Sequence, residues 1–242
     1  MTADAPTILA TSGGLVSGQR TYWEFGALTD YAIELAGVSG RAPKVCFLAT
    51  AMGDSPFVLA SFYAAAQQRG VRTSHLSAFP MPNVADVAAH LLEADVIQVM
   101  GGSVAGLLAM WRLHGWDRAL REAWQAGVVL TGVSAGSLCW HVGGATDSYG
   151  PELRALTDGL AFLPYSNAVH YDSEAQRRPM FQSLVRRGVL PMGYATDDGA
   201  GLLYRGTELV EVVSEVDGKA AYRVELDAEG VVTETRLDTR RL

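Results

Sequence analysis

Short apolar, β-branched runs alternate along the chain with longer segments whose apolar positions recur at helical spacing. Residues 7–11 read as a first strand that stops at Ser12-Gly13-Gly14. Residues 44–50 read as a second, ending near Gly53, and residues 72–79 as a weaker third. Residues 95–100 form a strong fourth that stops at Gly101-Gly102, and 128–131 a fifth that runs into Gly132. Between them, residues 21–37, 55–69, 84–93, 104–111 and 115–126 suit helices. Apolar strands alternating with helices predict βαβ units, hence an α/β fold with a mainly parallel sheet covered on both faces. In such sheets a ligand sits at the carboxyl ends of the strands, and several of these strands end in glycine or small polar residues. The pattern changes after residue 200. Residues 201–204, 208–213, 220–226 and 231–237 read as short strands, with turns at Arg205-Gly206, Asp217-Gly218 and Glu229-Gly230. They predict an antiparallel extension of the sheet edge over 201–242. No linker, repeat or low-complexity segment divides the chain, so residues 1–242 read as one α/β domain.

Composition narrows the function classes. The 242 residues are 49% hydrophobic and 19% charged, a globular balance with ample material for a core. A formal net charge of −7 offers nothing to a phosphate backbone, which argues against a nucleic-acid partner. Cys46 and Cys139 both lie in apolar runs with no C-x-x-C or Cys/His cluster, and read as buried thiols of a reducing compartment. The N-terminal residues lack the basic and apolar regions of a signal peptide, and no run approaches the ~18 apolar residues of a membrane span. The expectation is a cytoplasmic protein with no membrane partner.

Chemistry concentrates at Gly132-Val133-Ser134-Ala135-Gly136. This G-x-S-x-G follows a buried strand and precedes a helix-compatible stretch, the context in which the motif presents a serine nucleophile on a sharp turn. The flanking residues must be small for the turn to close, and Gly132, Ala135 and Gly136 are. The backbone N–H of Ala135, at the helix start, is the natural first donor to a developing oxyanion. The plainer alternative is a small-residue turn that merely joins a strand to a helix.

A serine nucleophile needs a base, usually histidine, and a third group to orient it. The chain has five histidines. His75 lies in a strand, His90 and His114 fall in or beside amphipathic helices, and His141 sits on the nucleophile helix pointing away from its tip. His170, in a polar and aromatic loop, is the best candidate base. Asp147, after the nucleophile helix, is a candidate orienter or a simple turn aspartate; Asp172, Glu174, Asp197 and Asp198 are rivals. Asp147 lies 13 residues and His170 36 residues after Ser134, and the last 72 residues hold no histidine. An α/β-hydrolase esterase carries its acid and histidine much further downstream, so that fold is disfavoured.

A strand ending in Gly-Gly, then G-x-S-A-G, then Thr146-Asp147, then His170-Tyr171 and downstream arginines together resemble the peptidase E (aspartyl dipeptidase) and cyanophycinase family of serine peptidases. The resemblance spans roughly residues 7–203 and implies a three-layer α/β sandwich like that of class I glutamine amidotransferases, with serine in place of their cysteine. It implies Ser134 as nucleophile, His170 as base, Asp147 as third triad member, and Gly102 beside Ala135 in the oxyanion hole. It also implies Arg177 as the cation that grips the carboxylate of an N-terminal aspartate. The sequence departs from peptidase E at Met100-Gly101-Gly102-Ser103, where that enzyme has Gly-Gly-Gly-Asn, and at Val169, where it has proline.

The expected activity is hydrolysis of short peptides, first of all Asp-X dipeptides, through an acyl-enzyme. No metal or organic cofactor is expected; the partner is the small peptide substrate, and a homodimer is compatible with the chain. Two alternatives stand beside this: a cyanophycinase-like peptidase for isoaspartyl or β-linked peptides on the same triad, and an amidotransferase-like binding module without catalysis.

Overall fold

The computed structural model describes residue 3 and residues 5–242. The chain runs β1 (Thr7–Thr11), β2 (Leu15–Ser17), β3 (Trp23–Phe25), α1 (Ala27–Leu35), β4 (Lys44–Leu48), a 3-10 turn (Thr50–Met52) and α2 (Pro56–Gln68). It continues through β5 (Arg72–Leu76), α3 (Val87–Leu92), β6 (Val96–Val99), α4 (Val104–His114), α5 (Trp116–Gln125), β7 (Val129–Val133) and α6 (Ala135–Leu138). Then come β8 (Gly143–Thr146), β9 (Arg154–Leu156), β10 (Ser166–Ala168), α7 (Arg177–Arg186) and β11 (Gly193–Thr196). The tail holds β12 (Ala200–Arg205), β13 (Glu208–Ser214), β14 (Ala221–Leu226), β15 (Val232–Arg236) and β16 (Arg240–Arg241).

The larger sheet has the order β16-β13-β12-β1-β7-β6-β4-β5. From β1 through β7, β6 and β4 to β5 every pairing is parallel. Its inner strands β1, β7, β6 and β4 are buried on both faces because both are covered. Ile8, Cys46, Leu48, Ile97 and Leu130 pack with Leu107, Trp111, Trp116 and Leu120 of α4 and α5. Their neighbours Leu9, Val45, Phe47, Val96 and Val129 point the other way, onto Leu28 and Ala32 of α1 and Val58 and Phe62 of α2. The period-two alternation of side chains thus divides one apolar run between two cores and makes three layers. Phe47 and Phe62 stack with ring centroids 3.8 Å apart. Both cysteines are buried free thiols, and burial pushes the Cys46 thiol up to about 12.

A second sheet, β15-β14-β11-β10-β8-β9, begins just after α6. Its strands β8, β10 and β11 are parallel. Helix α7 covers one face with Phe181, Leu184 and Val185, spaced i, i+3, i+4, against Ala145, Ala168, Ala195 and Val224.

Two expectations change in detail. Residues 23–25 are not helical: Trp23–Phe25 pairs antiparallel with Leu15–Ser17, and the helix begins only after Gly26. Of the four tail strands, β12 and β13 extend the antiparallel edge beyond β1. The other two leave it: β14 pairs with β11 and β15 with β14, so they finish the second sheet instead. Among the described residues no helix is long and apolar enough to cross a membrane.

Candidate active site

Five strand ends meet at the site. Ser134 follows β7, Gly102 follows β6, Ser12 follows β1, His170 follows β10 and Asp198 follows β11. The parallel strands of both sheets thus present their carboxyl ends to one place, as ligand sites in such sheets do.

Ser134 holds φ 57° and ψ −111°, a conformation sparsely populated by residues with side chains. The turn persists because its surroundings fix it. The Ser134 N–H donates to Thr11 O at 3.0 Å, and the Ser134 carbonyl accepts from the N–H groups of Ser137 and Leu138, both at 2.9 Å. A Cβ on Gly132 would lie 2.4 Å from the Gly136 carbonyl oxygen, and one on Gly136 would lie 2.4 Å from that of Val99. Neither glycine can carry a side chain, because strand and helix start cross here at backbone contact.

His170 also holds a positive φ, 54°. Its N–H donates to Ser12 Oγ at 3.3 Å, and its Nδ1 lies 2.5 Å from Asp198 Oδ1. With Nδ1–H donating to that carboxylate, Nε2 is the nitrogen left to act as base. Asp198 is held in turn: its N–H donates to Asp172 Oδ1 at 2.8 Å, and the next residue, Gly199, donates to Ser12 O at 2.8 Å. Thr11 and Ser12 therefore anchor Ser134, His170 and the Asp198 turn through adjacent backbone and hydroxyl groups.

The aspartate on His170 is Asp198, where the resemblance had pointed to Asp147. Asp147 makes no hydrogen bond to His170. It is exposed in the turn after β8, where its carbonyl accepts from Gly150 N–H at 3.0 Å and its carboxylate lies 3.7 Å from Arg177 Nη2. Asp197 is buried and points the other way, accepting from the Ala220 N–H at 3.1 Å and the Tyr222 hydroxyl at 3.3 Å. Burial raises its carboxyl above the ordinary value, and those bonds offset only part of that. Asp172 is also raised by burial, but the Lys219 ammonium and the Asp198 N–H outweigh that and leave it below the usual range.

Arg177, expected to meet a substrate carboxylate, is 3% exposed. Its Nε donates to Glu174 Oε2 at 2.6 Å and its Nη1 to Ala145 O at 2.7 Å. The guanidinium braces α7 against the end of β8 and presents no free face to a ligand. A pocket of about 240 Å³ opens beside it, lined by Asp147, Pro151, Leu153, Glu174, Ala175 and Gln176. It adjoins the site through Glu174, whose N–H donates to His170 O at 3.1 Å.

Gly102, at φ +128°, precedes the N-cap of α4, where Ser103 Oγ accepts from Gly106 N–H. A Cβ there would meet the Ala51 carbonyl at 2.5 Å. Its N–H donates to no protein group among the described residues, and the N–H of Ala135, first in α6, has no intrahelical acceptor. The neighbouring Gly101 lies against Ser134: a Cβ on it would sit 3.1 Å from Ser134 Cβ.

The remaining histidines stay out of the site. His141 is fully buried, with Nδ1 2.9 Å from Ser137 O, and burial lowers it to about 4. His75 meets the Tyr63 hydroxyl at 2.8 Å. Among the described residues no group of three or more His, Cys, Asp or Glu is arranged to hold a metal. Sequence reading gave Ser12 no role; the signal was there, in a strand stopping at Ser-Gly-Gly beside the motif strand.

Comparison with known proteins agrees with the resemblance read from the motifs. The family model for peptidase family S51 matches residues 8–212. The uncharacterized peptidase YgaJ of Bacillus subtilis (strain 168) is 44% identical over 200 residues, which cover 83% of this chain and 85% of that protein. A crystal structure of a peptidase from an acI-B1 Actinobacterium superposes with a TM-score of 0.69 at 18% identity, covering 97% of this chain and 95% of that one. A candidate peptidase E from Listeria monocytogenes EGD-e gives a TM-score of 0.56 at 18% identity, over 96% and 98%. At that identity the two structures speak for the fold alone, while the family match and YgaJ speak for kinship. The chain belongs to peptidase family S51.

Proposed function

We propose that the protein is a serine peptidase that cleaves short peptides through an acyl-enzyme on Ser134, His170 and Asp198. His170 takes the Ser134 proton as the hydroxyl attacks the scissile carbonyl, then returns it to the leaving amine. Asp198 fixes the imidazole tautomer and stabilises the imidazolium. The N–H groups of Gly102 and Ala135 hold the oxyanion of the tetrahedral intermediate. Water then repeats the cycle on the acyl-enzyme. The observation that carries this reading is the 2.5 Å contact between His170 Nδ1 and Asp198, on the same Thr11-Ser12 turn that anchors Ser134.

For the substrate, Asp-X dipeptides are the preference implied by the resemblance to peptidase E. The residue expected to enforce it, Arg177, is committed to Glu174 and Ala145. The neighbouring pocket carries two carboxylates, Asp147 and Glu174, against that one guanidinium. This favours a second reading, in which a cationic side chain is accepted, as in β-Asp-Arg. The test is kcat/KM over a dipeptide set with α-Asp-X, β-Asp-Arg, Glu, Asn and neutral N-terminal residues, for wild type and Ser134→Ala. Hydrolysis lost by several orders of magnitude in the variant supports the peptidase, and the ranking of α-Asp-X against β-Asp-Arg decides between the substrates. A folded wild type that cleaves none of them favours the binding module.

A further inference from the structure

The carboxylate on His170 is not held by burial. The Asp198 side chain is 44% exposed, so nothing in its own packing stops it from turning to water. Its backbone is fixed on one side by Ser12 and Asp172 and on the other by residues 214–220, which lie beyond the family-matched span of 8–212. On the far side of Asp198, the Gly199 carbonyl accepts from Ser214 Oγ at 3.0 Å and Glu215 N–H at 2.8 Å. On the near side, Asp197 N–H donates to Ala220 O at 3.0 Å, and Ala220 N–H returns a bond to Asp197 Oδ2 at 3.1 Å. The Glu215 carboxylate accepts from Gly14 N–H at 2.7 Å and Leu28 N–H at 3.0 Å, which fastens the loop that follows Ser12. Between these, Lys219 Nζ pairs with Asp172 Oδ2 while Asp172 Oδ1 accepts the Asp198 N–H.

We propose that residues 214–220 are a strap that positions Asp198 on His170, with the Lys219–Asp172 ion pair as its clasp. This rests on the reading of His170 and Asp198 as base and orienter. Asp172 and Lys219 touch no reacting atom; they act through the Asp198 backbone. A surface ion pair of this exposure adds little to stability, whereas displacing a catalytic group by an ångström can cost about 100-fold in rate. The clasp should therefore be visible in turnover far more than in melting.

The test compares Lys219→Met, Lys219→Arg, Asp172→Ala and Asp198→Ala with wild type. The readouts are kcat and KM on the best-cleaved dipeptide, the rate of Ser134 labelling by a fluorophosphonate probe, and thermal melting. Asp172→Ala is expected to lower kcat and labelling by about 10- to 100-fold and Lys219→Met by about 3- to 10-fold, with KM within about 2-fold. Lys219→Arg should return to within about 2-fold of wild type, because it restores the pair. Wild-type kcat in both Lys219→Met and Asp172→Ala, alongside a crippled Asp198→Ala, overturns the strap and leaves the peptidase standing. An inert wild type, or an Asp198→Ala variant as active as wild type, overturns the reading on which the strap rests.

Discussion

Replacing Asp198 with alanine should separate the two aspartates that compete for the role of orienter. The variant removes a charge-assisted hydrogen bond of 2.5 Å to His170 Nδ1. Bonds to charged groups contribute about 1.5–3 kcal/mol, and this one strengthens as the imidazole becomes cationic in the transition state. Together with the loss of tautomer and ring orientation, a barrier increase of about 3–4 kcal/mol follows, or roughly 200- to 1,000-fold in kcat/KM. Fully buried orienters cost about 10⁴-fold. The smaller figure reflects a carboxylate 44% exposed, since water can partly replace it. Asp147→Ala, by contrast, removes an exposed carboxylate 3.7 Å from Arg177 and should leave kcat within about 5-fold on a neutral dipeptide. The assay is kcat/KM for both variants on one substrate, with circular dichroism to show that each is folded. A large loss in Asp147→Ala together with near-normal activity in Asp198→Ala would refute the reasoning.

Other consequences can be measured as directly. Arg177→Met should lower Tm by about 3–8 °C, because it leaves the Ala145 carbonyl and Glu174 without their partner. It should leave the wild-type ratio of kcat/KM for Asp-X over Ala-X unchanged; a changed ratio would restore Arg177 to the substrate site. Gly136→Ala, whose methyl would meet the Val99 carbonyl at 2.4 Å, should cost several kcal/mol in urea unfolding and abolish activity with it. His141 binds its proton in the fold only near pH 4, against about 6.5 in the unfolded chain. The unfolded state therefore holds more protons between those values, so stability is full above about pH 6.5 and falls as pH drops toward 4, by about 3 kcal/mol in all. Unfolding midpoints across that window should show the slope, and His141→Gln should flatten it.

Strands β1, β4, β6 and β7 were legible because each is a run of mainly apolar residues buried on two faces, and the Ser134 turn because its geometry demands small residues in a short local window. His170 could be found by elimination among five histidines. The carboxylate that meets it could not. Asp197 and Asp198 are adjacent, and only the approach of the β11 end to the β10 end decides which carboxylate faces inward to Ala220 and which meets His170. Arg177 misleads for a similar reason: in sequence it belongs to a charged run, and its burial exists only once α7 packs on β8. The second sheet was hidden because β8, β10 and β11 have three or four residues each, too few for a period to emerge, and β8 and β11 begin with glycine. The tail showed its strands plainly, but a turn at Asp217-Gly218 carries no mark that the next strand joins another sheet.

The central claim is that Ser134 is a nucleophile activated by His170. It is tested most directly by treating the folded protein with a fluorophosphonate probe and mapping the adduct by peptide mass spectrometry. The account predicts one stoichiometric adduct on Ser134 with simultaneous loss of peptide hydrolysis, and none in Ser134→Ala or His170→Ala. Peptide hydrolysis at the wild-type rate by Ser134→Ala, or an adduct that forms as fast without His170, would contradict it.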